Sequence, residues 1–420
     1  MSADQDELMT SAPLCAIGAH YHRRDLRGAD LQGAILAHAV FRQVDLRGAD
    51  LIGANLTHAQ FIECDLRGAL LSYARLHKAR MIGCRLTGCH LQGAELSSVH
   101  ITPRHGSRDQ EHIAVERSSA RPPKRRFVCV DGMIYSTFEW SGSRSCSTRP
   151  IILLHGMTGH ALDFEPLVSR IDRPVFAVQL IGHGSTAYRA LEDELFDDPS
   201  ELPETLSYLE LVDQLIKVIT LLSSEGEVDL LGYSMGGRLA LHLAVELASR
   251  GASAPWMIRH LSVIGASLGI RDEQSRASRQ QRDQEWADSL WAQPDTEAFL
   301  KLWNQQPLLA RLASVNPREA ARVQLHRLEH DPRGLAMAFS CLGQGEMPPL
   351  DDTLSSVTHP ITMIYGEEDV KYKQIAQEAE RVHVCVSAVE IEGTGHAPHL
   401  EDLDAFWRHV GCLISDADGH

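Results

Sequence analysis

The sequence predicts an α/β chain, a doubly wound and mostly parallel sheet carrying a helical cap, preceded by a small solenoid. Three observations predict it. A large apolar residue returns at every fifth position from Leu26 to Leu96. Short apolar runs alternate with helical patterns between Ile151 and Leu413, the order of a sheet whose parallel strands are joined by helices. Finally, the run Val228–Leu231 passes through Gly232-Tyr-Ser234-Met-Gly236 directly into the helical stretch Arg238–Ala248, which places a serine on a sharp strand-to-helix turn.

At 420 residues the chain exceeds what one core of ~250–300 residues holds, so two domains are expected. Hydrophobic content of 44% and charged content of 23% are those of a globular protein. Met1–Thr10 is acidic without an apolar core, and no later run reaches the ~18 apolar residues that span a bilayer, so a cytosolic protein with no membrane span is expected. Nine cysteines without a C-x-x-C pair are expected to be small buried hydrophobes in a reducing compartment. Charge is uneven. Acidic and basic residues balance at ten each over 1–98, residues 99–126 hold three acidic against seven basic, and the net −16 therefore leaves about −20 on residues 127–420. So acidic a region argues against nucleic acid and requires a local arginine cluster if the ligand is an anion.

In chain order, the repeat comes first. Two residues before each large residue, from Ala29 on, stands alanine or cysteine everywhere except Val44. A period of five fits neither a helix nor a strand, so each pentad forms one side of a coil. The segment resembles the pentapeptide-repeat family, as in Ala29-Asp-Leu-Gln-Gly and Ala54-Asn-Leu-Thr-His. The resemblance implies a right-handed quadrilateral β-helix with four pentads per coil. Fifteen pentads then stack to ~18 Å at ~4.8 Å per layer. With balanced charge where a DNA mimic would be acidic, the module is read as an interaction or structural module, open to a protein partner, rather than as a DNA-gyrase-directed decoy. After Leu96 the period stops, and 99–126 reads as a basic, proline-containing linker with Pro122-Pro123. The expected divisions are a segment at 1–23, repeats at 24–98, the linker at 99–126, and a domain at 127–415 with its cap at about 268–345.

Beyond the linker, Phe127–Trp140 reads as two strands turning at Asp131-Gly132, followed by strands at Ile151–Leu154 and Val175–Leu180, a helix at Ser207–Leu222, the elbow, and a strand at His260–Ile264. A polar helical stretch, Arg271 to Gln344, supplies the cap. Strands resume at Ile361–Tyr365 and Val384–Ile391, with helices at Tyr372–Val382 and Glu401–Leu413. Gly366-Glu-Glu-Asp369 and Gly393-Thr-Gly-His396 follow the last two strands, at the strand ends where such a sheet places its chemistry. The order Ser234, Asp369, His396 is that of the α/β-hydrolase triad. His160, His183 and His399 are read as packing or substrate-edge residues. No metal set or cofactor is expected.

Several motifs narrow the reading: Leu154-His-Gly-x-x-Gly159, Gly232-Tyr-Ser-Met-Gly-Gly-Arg238, Ser267-x-Gly269 followed by Arg276, Arg279 and Asp283, Trp303-x-x-Gln-Pro307, Arg327 with Asp331-Pro-x-Gly-Leu-Ala336, Gly366-x-x-Asp-x-Lys371, and Gly395-His-x-x-His-x-Glu401. Together they resemble the MenH family, 2-succinyl-6-hydroxy-2,4-cyclohexadiene-1-carboxylate synthase of menaquinone biosynthesis, over residues 151–413. Departures are Gln179 for Asp in Asp-x-Pro-Gly-His-Gly, Leu268 and Leu403 for Pro, and Tyr372 for Phe.

The resemblance implies Ser234, Asp369 and His396 as the triad, the backbone N–H groups of Met157 and Met235 as the oxyanion hole, and Tyr233, Arg238, Arg279, Trp303 and Arg327 as contacts to a small substrate carrying several carboxylates. It implies a carbon–oxygen lyase that eliminates pyruvate without an acyl-enzyme. Guanidinium forks suit carboxylates, which agrees with that substrate class. The same triad also serves a serine carboxylester or C–C bond hydrolase, and a scaffold with a vestigial triad is a third reading.

Overall fold

The computed structural model describes residues 16, 18–86, 89–91, 94, 99–102, 123–131, 133–141, 149–184, 187–188, 206–223, 226–292, 295–328 and 330–414. Most of the expected N-terminal segment, Leu96, residues 103–122 of the expected linker, and Gly132 of the first turn lie outside them. The chain forms two compact units, residues 1–120 and 121–420.

In the first unit, strands β1 (His20–His22), β2 (Val40–Arg42), β3 (Gln60–Ile62), β4 (Arg80–Ile82) and β5 (His100–Thr102) pair in parallel, each with the next. Partners are always twenty residues apart, as in Phe41↔Phe61 and Asp25↔Asp45, so four pentads close one coil of a β-helix. Leu36, Leu46, Leu51, Leu56, Leu66 and Leu71 are fully buried inside it, and so are Ala34, Ala49, Ala54 and Ala69, where only a small side chain fits between layers. The rings of Tyr21, Phe41 and Phe61 stack at 4.8 Å, one layer spacing. On three of the four columns the corner is closed by the small residue's N–H donating to the preceding large residue's carbonyl, as Ala49 to Leu46 at 3.0 Å. Each corner also needs a residue of positive φ, supplied by Gly28, Gly48 and Gly68 on one column and by His38 and His58 on another. The repeat runs further than its expected limits. Tyr21 precedes Leu26 by five and is buried, and Ile101 follows Leu96 by five within β5, so the period neither starts at Leu26 nor ends at Leu96.

The expected linker is shorter at its other end too. Lys124, Arg125 and Arg126 open strand β6 (Lys124–Val130), antiparallel to β7 (Met133–Trp140). Their polarity is that of an edge strand rather than a loop. Arg126 pairs with Glu139 at 2.6 Å, and Arg125 donates to Ser136 Oγ at 3.0 Å while its guanidinium lies over the rings of Phe127 and Phe138.

The second unit's sheet continues through β8 (Ile151–Leu154), β9 (Val175–Val178), β10 (Ala187–Tyr188), β11 (Glu227–Tyr233), β12 (Met257–Ile264), β13 (Ile361–Gly366) and β14 (Val386–Ile391) in the order β10-β7-β9-β8-β11-β12-β13-β14. From β9 to β14 all pairs are parallel. Strand β8 is buried along its whole length, as four consecutive aliphatic residues between two helical layers must be. Helix α1 (Tyr208–Leu222) starts at a capping box in which the Glu210 N–H donates to Ser207 Oγ and the Ser207 N–H to Glu210. Helix α2 (Met235–Arg250) buries nearly all of its first ten residues against the sheet.

Five helices, α3 (Glu273–Ala292), α4 (Thr296–Trp303), α5 (Pro307–Val315), α6 (Pro317–Arg327) and α7 (Pro332–Leu342), form the cap, three of them started by a proline at the first helical position. Helix α8 (Val370–Val382) follows β13. The expected last helix is broken at Asp402 into α9 (Pro398–Glu401) and α10 (Leu403–Ile414). Of the cysteines, Cys64, Cys89 and Cys341 are buried, but Cys129 and Cys412 are exposed, on the edge strand and the final helix.

Candidate active site

The elbow forms because its glycines let two backbones touch. A Cβ on Gly236 would run into the Leu154 and His155 carbonyls, and one on Gly232 would stand 2.6 Å from the Gly237 Cα. Between them Ser234 takes φ 52° and ψ −107°, a strained setting for a residue with a side chain. Its N–H donates to the Ile264 carbonyl and the Gly236 N–H to the His155 carbonyl, so the neighbouring strands hold the turn.

The acid and the histidine arrive from the ends of the next two strands. Asp369, after β13, accepts from the Tyr372 N–H to start α8, and its other oxygen accepts from His396 Nδ1 at 2.7 Å. That bond puts the proton on Nδ1 and leaves His396 Nε2 to accept from Ser234 Oγ at 3.2 Å. Asp369 and His396 are buried, while Ser234 remains partly open. The three residues expected from their order in the chain thus stand in one hydrogen-bonded line. Gly265, at φ 56°, makes room: a Cβ there would lie 2.6 Å from the His396 Cε1.

Residues 156–159 run beside the serine, with Gly156 packed against the Tyr233 ring and the Ser234 Cβ. The Gly159 N–H donates to the Gly156 carbonyl at 2.9 Å, closing a turn. Neither the Met157 nor the Met235 N–H takes part in the backbone hydrogen bonds among the described loops and caps, as the expected oxyanion donors require. His155 accepts the Leu180 N–H on Nε2 and donates from Nδ1 to the Gly156 carbonyl; burial holds its pKa down to about 4.

Over this site lies the cap's aromatic cluster, Trp286, Phe299, Trp303 and Phe339, packed edge-to-face and against Met157. Trp303 is buried, and its Nε1–H has no acceptor among the described residues. Arg327 donates from Nη1 to Asn304 Oδ1 at 2.7 Å, while its buried Nε has no partner among the described residues. Burial works against the charge of Arg327 and raises the pKa of Tyr233, and the two lie close enough to influence each other. Arg238 and Arg279 are differently placed. The Arg238 guanidinium donates to the Leu342 and Gly343 carbonyls at the end of α7, and Arg279 is shared between Asp283 Oδ1 at 2.8 Å and Gln344 Oε1 at 2.7 Å. Arg238 therefore ties the elbow helix to the end of α7, while Arg279 ties α3 to Gln344 just beyond α7.

Sequence reasoning passed over several residues. Glu401 accepts from the N–H groups of Gly395 at 2.6 Å and Ala397 at 3.1 Å, the two amides flanking His396, and from Arg311 Nε at 3.0 Å. It was visible only as the last letter of a motif. Asp163 accepts from His326 Nδ1 at 2.8 Å, and Arg322 donates to the Leu162 and Asp163 carbonyls, fastening α6 to the sheet domain. Nothing in the sequence spacing pairs these residues. His399, read as a packing residue, sits between the Tyr233 and Phe164 rings, its pKa lowered by burial to about 3. The ring nitrogens of the buried histidines mostly face backbone groups, and no set of three His, Cys, Asp or Glu among the described residues is arranged to hold a metal.

Residues 151–408 match the alpha/beta hydrolase family. The chain belongs to it. Residues 25–102 match pentapeptide repeats, in eight copies. Within the hydrolase family, the chain is 30% identical over 257 residues to the 2-succinyl-6-hydroxy-2,4-cyclohexadiene-1-carboxylate synthase of Enterobacter sp. (strain 638), covering 60% of this chain and 86% of that one, and so belongs with that synthase family. It is 28% identical over 301 residues to the protein PHYLLO, chloroplastic, of Arabidopsis thaliana, covering 68% of this chain but spanning only 17% of that longer protein. Among solved structures, MenH from S. aureus superposes with a TM-score of 0.55 at 25% identity, over 64% of this chain and 94% of that one. As a member of the family, this α/β-hydrolase places its serine, acid and histidine after β11, β13 and β14.

Proposed function

We propose that this hydrolase-fold unit is a carbon–oxygen lyase of menaquinone biosynthesis, eliminating pyruvate from 2-succinyl-5-enolpyruvyl-6-hydroxy-3-cyclohexene-1-carboxylate to give 2-succinyl-6-hydroxy-2,4-cyclohexadiene-1-carboxylate. The observation that carries the substrate class is the pair of buried donors without acceptors among the described residues, Arg327 Nε and Trp303 Nε1, above a Ser-His-Asp line. Buried unpaired donors are costly, so a ligand bringing carboxylate oxygens completes the site. Kinship with the Enterobacter synthase supports the same reading.

In this reading His396 Nε2 takes the Ser234 proton, and Ser234 Oγ removes the proton α to the succinyl ketone. The N–H groups of Met157 and Met235 hold the resulting enolate oxygen. The ring double bond shifts, the carbon–oxygen bond to the enolpyruvyl group breaks, and the leaving enolate takes up a proton as pyruvate. Tyr233, Arg238, Arg279 and Arg327 orient the carboxylates, Arg238 and Arg279 sharing their guanidinium groups with the cap carbonyls and side chains they already hold. For the repeat unit we propose a protein partner, and for the compartment the cytoplasm, consistent with seven free cysteines among the described residues; among those residues no helix is long and apolar enough to cross a membrane.

The test offers the purified chain the enolpyruvyl substrate and a panel of p-nitrophenyl esters, following pyruvate and nitrophenol. Fast pyruvate release with only slow ester turnover is expected. Fast ester turnover through a trapped acyl-serine, with no pyruvate, would make the protein an esterase.

A further inference from the structure

Thr158 is in an uncomfortable position. Its φ is 59°, left-handed, which a β-branched residue rarely adopts. It is fully buried, and its hydroxyl has no partner among the described residues, so nothing in its own side chain accounts for the conformation. The backbone on both sides does. The Thr158 N–H donates to His183 Nε2 at 3.1 Å, and the Thr158 carbonyl accepts from His330 Nε2 at 3.0 Å. Both tautomers are fixed by the opposite nitrogens: His183 Nδ1 donates to the Ile181 carbonyl, and His330 Nδ1 accepts from the Gly184 N–H at 2.9 Å. The two rings meet edge-to-face at 5.1 Å.

We propose that His330 is a positioning residue through which the cap sets the oxyanion loop, an inference that rests on the reading of the Met157 N–H as an oxyanion donor. Residues 156–159 form a turn closed by the Gly159 N–H on the Gly156 carbonyl, with positive φ at its third residue and not at its second. That is a type II turn. Without constraint, threonine at the third position favours type I, which reverses the peptide between Met157 and Thr158. Reversal would point the Met157 carbonyl at His183 Nε2, itself an acceptor, while His330 holds the following peptide through the Thr158 carbonyl.

His183 thus selects one of the two turns beside Ser234, and His330 anchors that turn at its Thr158 carbonyl. His183 belongs to the sheet domain, but His330 belongs to the cap. It immediately precedes Asp331, which caps α7, and its own carbonyl accepts from Thr296 Oγ1 at 2.9 Å at the start of α4. Docking of the cap and formation of the oxyanion loop are therefore one event. Burial keeps His330 neutral, with its pKa down to about 3, among His155, His160 and His183, with Asp163 and Arg327 as the nearby charges. A neutral ring can accept from Gly184 and donate to Thr158 at once.

The full-length chain is compared with His330→Leu, His330→Gln, Thr158→Gly and the double variant His330→Leu/Thr158→Gly. Pyruvate elimination is measured as kcat and KM separately, and amide hydrogen exchange of the 155–160 segment is followed by mass spectrometry. His330→Leu is expected to lower kcat at least tenfold with KM within about threefold, because the oxyanion interaction is made in the transition state. It should also speed exchange of the segment. His330→Gln, which keeps a donor, should recover most of both. Glycine adopts positive φ without strain, so Thr158→Gly should rescue the leucine variant by at least fivefold. Unchanged kcat and unchanged exchange in His330→Leu, or strictly additive losses in the double variant, would overturn the proposal. If the wild-type chain eliminates no pyruvate, the proposed reaction fails. The exchange data then still decide whether His330 holds the loop.

Discussion

The two units use the same backbone device to opposite ends. In the repeat unit, His38, Gln43, His58, Glu63, Tyr73 and Lys78 carry positive φ at corners that recur along the coil, each exchangeable with a glycine of the same column position elsewhere. In the second unit only Asp131, Thr158 and Ser234 do so among the described non-glycine residues, and the last two follow the adjacent strands β8 and β11. The corners are spread out and lie at the surface, so each costs a little and nothing depends on any one of them. The strain at Thr158 and Ser234 is concentrated, buried and held by hydrogen bonds from other elements. Left-handed residues read as punctuation when they repeat and as function when they are isolated and gripped.

Removing the reacting groups should break the comparison most visibly. Ser234→Ala or His396→Ala should each lower pyruvate elimination by ~10²–10⁴-fold; near-full turnover in either would place the proton transfer elsewhere. Next in size, Arg327→Ala should cost ~10–150-fold in kcat/KM on the polyanionic substrate and leave neutral esters almost untouched, the signature of a lost charge-assisted contact. Equal losses on both substrates would reduce the arginine to a cap fastener.

Acid should separate the units. His155 and His242 titrate at about 4 in the folded chain and His330 and His399 at about 3, all through burial, against an ordinary 6.5. The unfolded chain therefore takes up protons first. Stability from these groups is complete above about pH 6.5 and drains away as the pH falls towards 4, by roughly 1.4 kcal/mol per pH unit for each histidine. Among the described side chains of the repeat unit, His20, His22, His38, His58, His77 and His90 are at least partly exposed. Melting at pH 7 and pH 5 should move the hydrolase transition well below its neutral value and the repeat transition little; parallel shifts would contradict the contrast.

Smaller still, Gly48→Ala meets no atom within 4 Å but must keep φ 65°, so it should destabilise the repeat unit by ~1 kcal/mol without changing turnover. Least of all should come from deleting the repeat. A chain beginning at Pro123, which keeps all of β6, should eliminate pyruvate within a few-fold of the full rate. Insolubility, or a tenfold loss of kcat, would show the units to be interdependent.

Much of this was readable in the amino-acid order because it rests on local chemistry: Gly232 and Gly236 around Ser234, the alternation of apolar runs and helices, the five-residue period. The remainder was not, for identifiable reasons. Lys124–Arg126 carry the polarity of a loop because an edge strand needs only one apolar face. Ile101 continues the period but follows Val99 rather than a small residue, and Tyr21, though it follows Ala19, is cut off from the pattern by Arg24, which stands where the small residue of the next pentad would be. Glu401 acts on the backbone amides flanking His396, His330 and Arg322 act on backbone groups more than a hundred residues away, and Asp163 acts on an equally distant histidine; none of these partners shows a spacing to detect. The family resemblance makes Arg238 and Arg279 ligand contacts, but their bonds to the Leu342 and Gly343 carbonyls and to Asp283 and Gln344 arise from the tertiary fold and leave no mark on the sequence.

The twenty-residue coil makes the size of the repeat unit a discrete quantity. Asp25, Asp45, Asp65 and Arg85 stand one above another like graduations on a ruler, about 4.8 Å apart. Gain or loss of a whole coil lengthens or shortens the ruler and leaves every face pointing as before. Gain of a single pentad instead turns everything downstream by a quarter of a revolution while burying the same leucines. Drift in length is thus filtered by angle rather than by hydrophobicity, and a surface recognised on one face survives only changes counted in twenties.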